Sequence, residues 1–270
     1  MKITRILLLV LTVCLLAGCA ATPPVSTGDP IEETTTPPTY AAYIPDAPVY
    51  PDRVVAPLPE SVTVGDLISP YWEETLRWDD TDGEHCVFPV AVPQIYPFSE
   101  DAIRCEKEIF DHLFPILDDA LNKMGIGISQ SLNQVGYEAY LNGQILSLIV
   151  SQETPNDLHL YQVYNFDTAS GKKLDGADLL AYLGISRDDF HHRADTAVRT
   201  HFAGRFGEKE AAADPTFYQA QLNRSTNESN LDHAELYLDA AGRLMMVADI
   251  YPLAGASRYP TPLPLETENQ

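Results

Sequence analysis

Apolar and polar positions follow three different rhythms along this chain. Lys2 and Arg5 precede an apolar run from Ile6 to Leu16 that only Thr12 and Cys14 interrupt. The run falls well short of the ~20 apolar residues a bilayer-spanning helix needs, and its charged start and greasy middle predict a secretory signal over residues 1–18. From Ala20 to Pro59 periodicity disappears. That stretch holds 10 of the 21 prolines, with many threonines and few large apolar residues, so it cannot bury a core. It predicts an extended tether over 19–59, reaching at most roughly 120 Å at about 3.1 Å per residue. The aromatic patch from Tyr40 to Tyr50 leaves open a domain boundary nearer residue 45.

Regular periodicity sets in from residue 60, and the last ~210 residues suit one domain. Val87–Tyr96 has extended spacing but carries prolines, which predicts an edge strand. Ser99 is a good N-cap for a following helix whose first turn holds Glu100 and Asp101. Ile103, Ile109, Phe110, Leu113, Leu117, Leu121 and Met124 line one face of it, and Pro115 should kink or break it. Val135–Leu141 and Ile145–Gln152 flank Asn142-Gly143, the dipeptide of a type I′ hairpin, and Leu158–Phe166 alternates with period two. A turn over Asp167–Gly171 leads through Lys172 and Leu174 into a second helical region. Within Asp188–Phe206 an aromatic stripe of Phe190, Ala194, Val198, Phe202 and Phe206 predicts a core-facing helix. A last hairpin, Ala234–Asp239 with Arg243–Tyr251, turns at Ala240-Ala241-Gly242. The expected fold is α+β: one antiparallel meander with helices packed on one face, in a single domain.

Charge narrows the partners. The formal net charge is −22 and falls to −24 once Lys2 and Arg5 leave with the signal. Such a chain is repelled by nucleic-acid phosphates and anionic headgroups, which excludes nucleic acid and favours cationic partners. Its densest acidic stretch, Glu73, Glu74, Asp79, Asp80, Asp82 and Glu84 around Arg77, reads first as a solvated loop. Of the four cysteines, Cys14 lies in the signal, and Cys86 and Cys105 form an even pair that either closes a disulfide or stays as two buried thiols.

Two resemblances add to this. Leu16-Ala17-Gly18-Cys19 resembles the lipobox of bacterial lipoproteins, which implies cleavage before Cys19, diacylation of its thiol and a lipid anchor in the bacterial cell membrane. The domain itself, over about 87–265, resembles the extracellular domain shared by the RsiV anti-sigma factor and PdaC-like peptidoglycan deacetylases. The residues that carry this resemblance are Val92-Pro93-Gln94-Ile95, Leu146-Ser147-Leu148, Tyr164-Asn165-Phe166-Asp167, Ser170-Gly171-Lys172 with Leu174, Leu236-Tyr237-Leu238, Gly242-Arg243-Leu244 and Tyr251-Pro252-Leu253-Ala254-Gly255. It implies a receptor-like module, and in RsiV the ligand is lysozyme, a small basic protein. Direct anti-sigma action does not carry over, because a cleaved signal stands where RsiV has its membrane-spanning helix. Nor does deacetylation, because the catalytic domain's paired aspartates and its two histidines five positions apart have no counterpart.

The histidines lie at 85, 112, 159, 191, 192, 201 and 233. The best local candidate for metal or acid/base chemistry is His191, His192 and Asp195, where Asp188–His192 and His191–Asp195 are i,i+4 pairs. These positions fall beside or opposite the aromatic stripe, so salt-bridging surface residues are the preferred reading. No Cys-x-x-Cys or zinc-ligand spacing, no Gly-x-Ser-x-Gly elbow and no phosphate-binding glycine loop is present, so no cofactor and no catalytic residue is assigned. Three functions stay open: a tethered module binding a cationic protein such as lysozyme or a cell-wall polymer, an enzyme acting on that polymer, and a structural accessory of another envelope protein.

Overall fold

The computed structural model describes residues 45, 53–79, 85–125, 132–155, 158–254 and 258–265. The signal, Cys19 and most of the tether lie outside them. The first continuous stretch is already docked. Arg53 forms an ion pair with Glu106, the Ala56 amide donates to Pro97 O at 2.8 Å, and Leu58 and Val62 pack on the core. The domain therefore begins before residue 60: a proline-rich composition forbids a core of its own but not docking onto a neighbour's.

A short helix, α1 (Val64–Leu67), leads into an antiparallel hairpin of β1 (Ile68–Asp79) and β2 (His85–Ile95). Glu73 and Glu74 thus sit on a strand, not in the expected loop; Asp80, Asp82 and Glu84 are outside the described residues. The strand β2 is not an edge as its prolines suggested. It lies between β1 and β3 (Gln134–Asn142), but touches β3 only at the parallel bridge Val90↔Val135, so its second side serves almost no ladder and Pro89 and Pro93 cost little there.

Helix α2 (Glu100–Gly125) starts where Ser99 Oγ accepts from the Ala102 amide at 3.1 Å. It runs through Pro115 unbroken. That proline is exposed, so the carbonyl it orphans can turn to water, while Ile109, Leu113, Leu117 and Ala120 on the other face are fully buried and keep the helix seated. Ile103 is only half-buried.

The meander continues through β4 (Ile145–Glu153), β5 (His159–Asp167) and the short β6 (Lys172–Leu174), giving a six-stranded sheet in sequence order. The β3–β4 turn is one residue out of the expected frame. Asn142 pairs with Ile145, and Gly143, at φ 62°, occupies the first loop position. Helices α3 (Gly176–Leu183), α4 (Arg187–Ala213), α5 (Pro215–Ser225) and α6 (Glu228–Asp232) come next. Along α4 the predicted stripe is buried from Phe190 to Phe202 and half-buried at Phe206, and the helix passes the expected end at Phe206 across a kink at Gly207, φ 60°.

A second, three-stranded sheet follows, β7 (Glu235–Leu238), β8 (Leu244–Ile250) and β9 (Tyr259–Pro264), with β8 central. The fold is α+β, as expected, but built on two sheets. Period-two alternation decides their packing. Leu146, Leu148 and Val150 of β4 face α2, whereas Ile149 meets Tyr237 and Val247 of the second sheet. On β7 and β8, Leu236, Leu238, Met246 and Ala248 join the cluster formed with α3–α6. Helices therefore cover the outer faces of two stacked sheets, not one face of one. All described residues belong to a single unit running from Pro37 onward.

Candidate functional site

The strands expose one chemically distinctive surface at the step between the sheets. Odd residues of β3 face α2, so Glu138 and Tyr140 project from the opposite face, beside Ile149 and Ser147 of β4. Tyr161 on β5 lies on that face too, and β7 brings in Tyr237 from the second sheet. Tyr140 Oη donates to Glu138 Oε2. Burial, with Glu138 adding to it, raises the hydroxyl pKa of Tyr140, Tyr161 and Tyr237, the last to about 12. The three phenols therefore stay neutral; Tyr140 and Tyr161 are half-buried beside the exposed Glu138 carboxylate, while Tyr237 is buried.

Among the described residues Glu138 has no cationic partner; nor do Glu73 on β1 and Glu153 on β4. Aromatic faces and hydroxyls beside unneutralised carboxylates suit a lysine or arginine side chain, which gains ring contact and charge pairing together. The sequence reading missed these residues. The polar face of β3 was legible as period-two alternation, but not the approach of Tyr237 from a strand roughly a hundred residues later.

The histidine candidate takes another form. His191 Nε2 is 2.8 Å from Asp232 Oδ1 on α6, and Arg187 Nη2 is 2.6 Å from Asp232 Oδ2. Arg187, then His191, hold the Asp232 carboxyl below the usual carboxylate range. Asp195 turns away to a two-point pair with Arg199, at 2.7 and 3.0 Å, and His192 is exposed. The helix therefore does not gather His191, His192 and Asp195 into one site, and among the described residues no group of three metal-ligating side chains occurs. Arg187, Phe190 and Asp232 do border a cleft of about 470 Å³ floored by Leu180, Leu231 and Leu236. His191 does not itself line this cleft, and no serine, threonine or cysteine does.

Cys86 and Cys105 do not meet. The Ile95 amide donates to Glu106 Oε1 at 3.1 Å, which places the start of α2 at the far end of β2. Cys86 is nine residues back along that strand, on the order of 30 Å away at about 3.3 Å per residue. A disulfide needs Cα atoms within about 7 Å. Cys105 is instead a buried core thiol, its pKa pushed up to about 11 by burial.

A solved DUF3298 family protein from Pseudomonas aeruginosa PAO1 is similar to this chain at 12% identity, covering 73% of this chain and 91% of that chain, with a TM-score of 0.36. No family model matches the sequence, and no curated protein does.

Proposed function

We propose that this protein is an RsiV-like binding module, lipid-anchored through Cys19 outside the cytoplasmic membrane, whose ligand is a cationic protein of the lysozyme kind. The observation that carries the reading is the unneutralised, exposed Glu138 carboxylate in contact with Tyr140 and near Tyr161 and the buried Tyr237. Long-range attraction follows from the net charge of −22, which raises encounter rates with any basic partner. Specific recognition falls to Glu138 with the half-buried Tyr140 and Tyr161, whose neutral phenols contribute contact area at low entropic cost.

Capture of a basic lysozyme on immobilised protein at low and moderate ionic strength tests this. Retention should weaken with salt, and Glu138→Gln with Tyr140→Phe should weaken it at both salts. Equal retention by the wild type and the double variant would remove this face from the reading. Absence of retention at either salt would remove the cationic protein itself.

A further inference from the structure

A second cleft carries the opposite charge. It lies where α5, α6 and the end of β8 meet, encloses about 420 Å³, and is lined by Arg224, Asn230, His233, Asp249, Tyr251 and Arg258 among others. Its position is fixed by buried hydrogen bonds. Ser225 Oγ donates to Gln221 O and accepts from the Tyr251 amide at 2.9 Å, and Asn230 Nδ2 donates to Ser225 O and Asp249 O. The wall is thus built before any ligand arrives.

The two arginines differ in their partners. Arg258 Nη1 is 2.5 Å from Asp249 Oδ2, so its charge is already balanced. Arg224 lies over the Tyr251 ring at 4.1 Å from the centroid, and its one hydrogen bond is to the neutral Gln221 Oε1 at 3.5 Å. Among the described residues it has no carboxylate partner, whereas seven other arginines do. Arg77 and Arg205 also lack one among the described residues, but neither lines this cleft. The Tyr251 ring covers the Arg224 guanidinium, and the N–H groups not given to Gln221 remain for a planar oxyanion, which a guanidinium binds with two parallel hydrogen bonds. At the rim, His233 Nδ1 faces Ser229 O at 2.5 Å and must carry the proton there, so Nε2 of the neutral ring is an acceptor, suited to a ligand hydroxyl or N–H and not to its carboxylate.

We propose that this cleft binds a small ligand through one carboxylate, held by the Arg224 fork. Arg224 leaves a single uncompensated positive charge, which matches a monoanion. A phosphate dianion would remain half-neutralised against the negative field of the whole protein. The volume fits a residue or two, not an extended polymer. The carboxylate can come from a peptide end or from a sugar acid.

Ligand-detected saturation-transfer NMR on the full-length chain separates these cases, with N-acetyl-alanyl-alanine, glucuronate, the amide of each, and inorganic phosphate as probes. At least one carboxylate should bind, its amide and the Arg224→Gln variant should each lose about tenfold or more, and Arg224→Lys should fall between. Whichever acid binds identifies the source. Arg224 is exposed, so a thermal melt should find both variants as stable as the wild type. Binding by neither acid, equal binding of acid and amide, an unaffected Arg224→Gln variant, or tighter binding of phosphate than of either acid would each overturn the assignment.

Discussion

Ser147 on β4 and Asn165 on β5 are paired across the ladder, and together their side chains bind the backbone of β7. Ser147 Oγ donates to Asn165 Oδ1 at 2.7 Å and accepts from the Leu238 amide at 3.1 Å, while Asn165 Nδ2 donates to Leu236 O at 2.7 Å. Both residues are buried, so this polar seam fixes how the second sheet stacks on the first, where apolar packing alone would leave the stagger free. Asn142 adds a third stitch, to Asp239 O at 3.0 Å.

Asn165→Ala strands Leu236 O and Ser147 Oγ in the interior and should cost about 2–4 kcal/mol; Ser147→Ala strands the Leu238 amide and should cost about 1–3. The double variant should cost less than the sum, because each single change already breaks the shared bond. Urea denaturation of the four proteins checks both statements; strict additivity would deny the coupling.

Gly143 and Gly171 both have positive φ, 62° and 74°, but differ in surroundings. An added Cβ at Gly143 meets nothing within 4 Å, while at Gly171 it lies 2.7 Å from Ser99 Cβ, which the cap of α2 holds in place. Gly143→Ala should cost only the left-handed strain of about 1–2 kcal/mol, and Gly171→Ala distinctly more. Equal losses in melting temperature would count against the close contact.

Burial raises the Glu106 carboxyl pKa, while Arg53 and the Ile95 amide oppose the rise. The folded state then holds this proton more tightly than the unfolded chain, so the group's contribution to stability falls as pH climbs from the ordinary carboxylate range through the raised value. Arg53→Ala removes the main opposition. Its loss should be about 3 kcal/mol near neutral pH and smaller at a mildly acidic pH, because the raised pKa makes Glu106 take up a proton more readily as pH falls. Chemical denaturation at the two pH values measures this, and a loss independent of pH would show that the pair is not what Arg53 contributes.

Lipid attachment has its own assay. Radiolabelled palmitate should enter the wild-type protein and not a Cys19→Ser version; equal labelling of the two would place the anchor elsewhere.

Much of the α+β framework was legible because it rests on local signals. The aromatic stripe of α4, the Ser99 cap, the Asn142-Gly143 hairpin of β3 and β4 and the alternation of β5 each declare themselves within a dozen or so residues. What escaped depends on tertiary contact. β1 hid behind its acidic side chains, since the exposed Glu73 and the half-buried Glu74, which sits between the buried Trp72 and Leu76 on their face, mask the alternation of an edge strand. β9 hid behind three prolines, which an edge beside β8 tolerates. The Asp232 that claims His191 stands 41 residues away, and no spacing rule links them. The tyrosine step is divided in the same way: Glu138 and Tyr140 could be read from one strand, whereas Tyr161 and Tyr237 converge only through the stacking that Ser147 and Asn165 enforce.

The most direct test of cation recognition varies the partner and leaves this protein untouched. Isothermal titration of the full-length chain with native basic lysozyme, and with the same lysozyme after exhaustive lysine acetylation, changes the ligand's charge while conserving its fold. Saturable binding of the native form, weakened by about tenfold or more on acetylation, is the predicted result. Equal affinity for the two forms would contradict it.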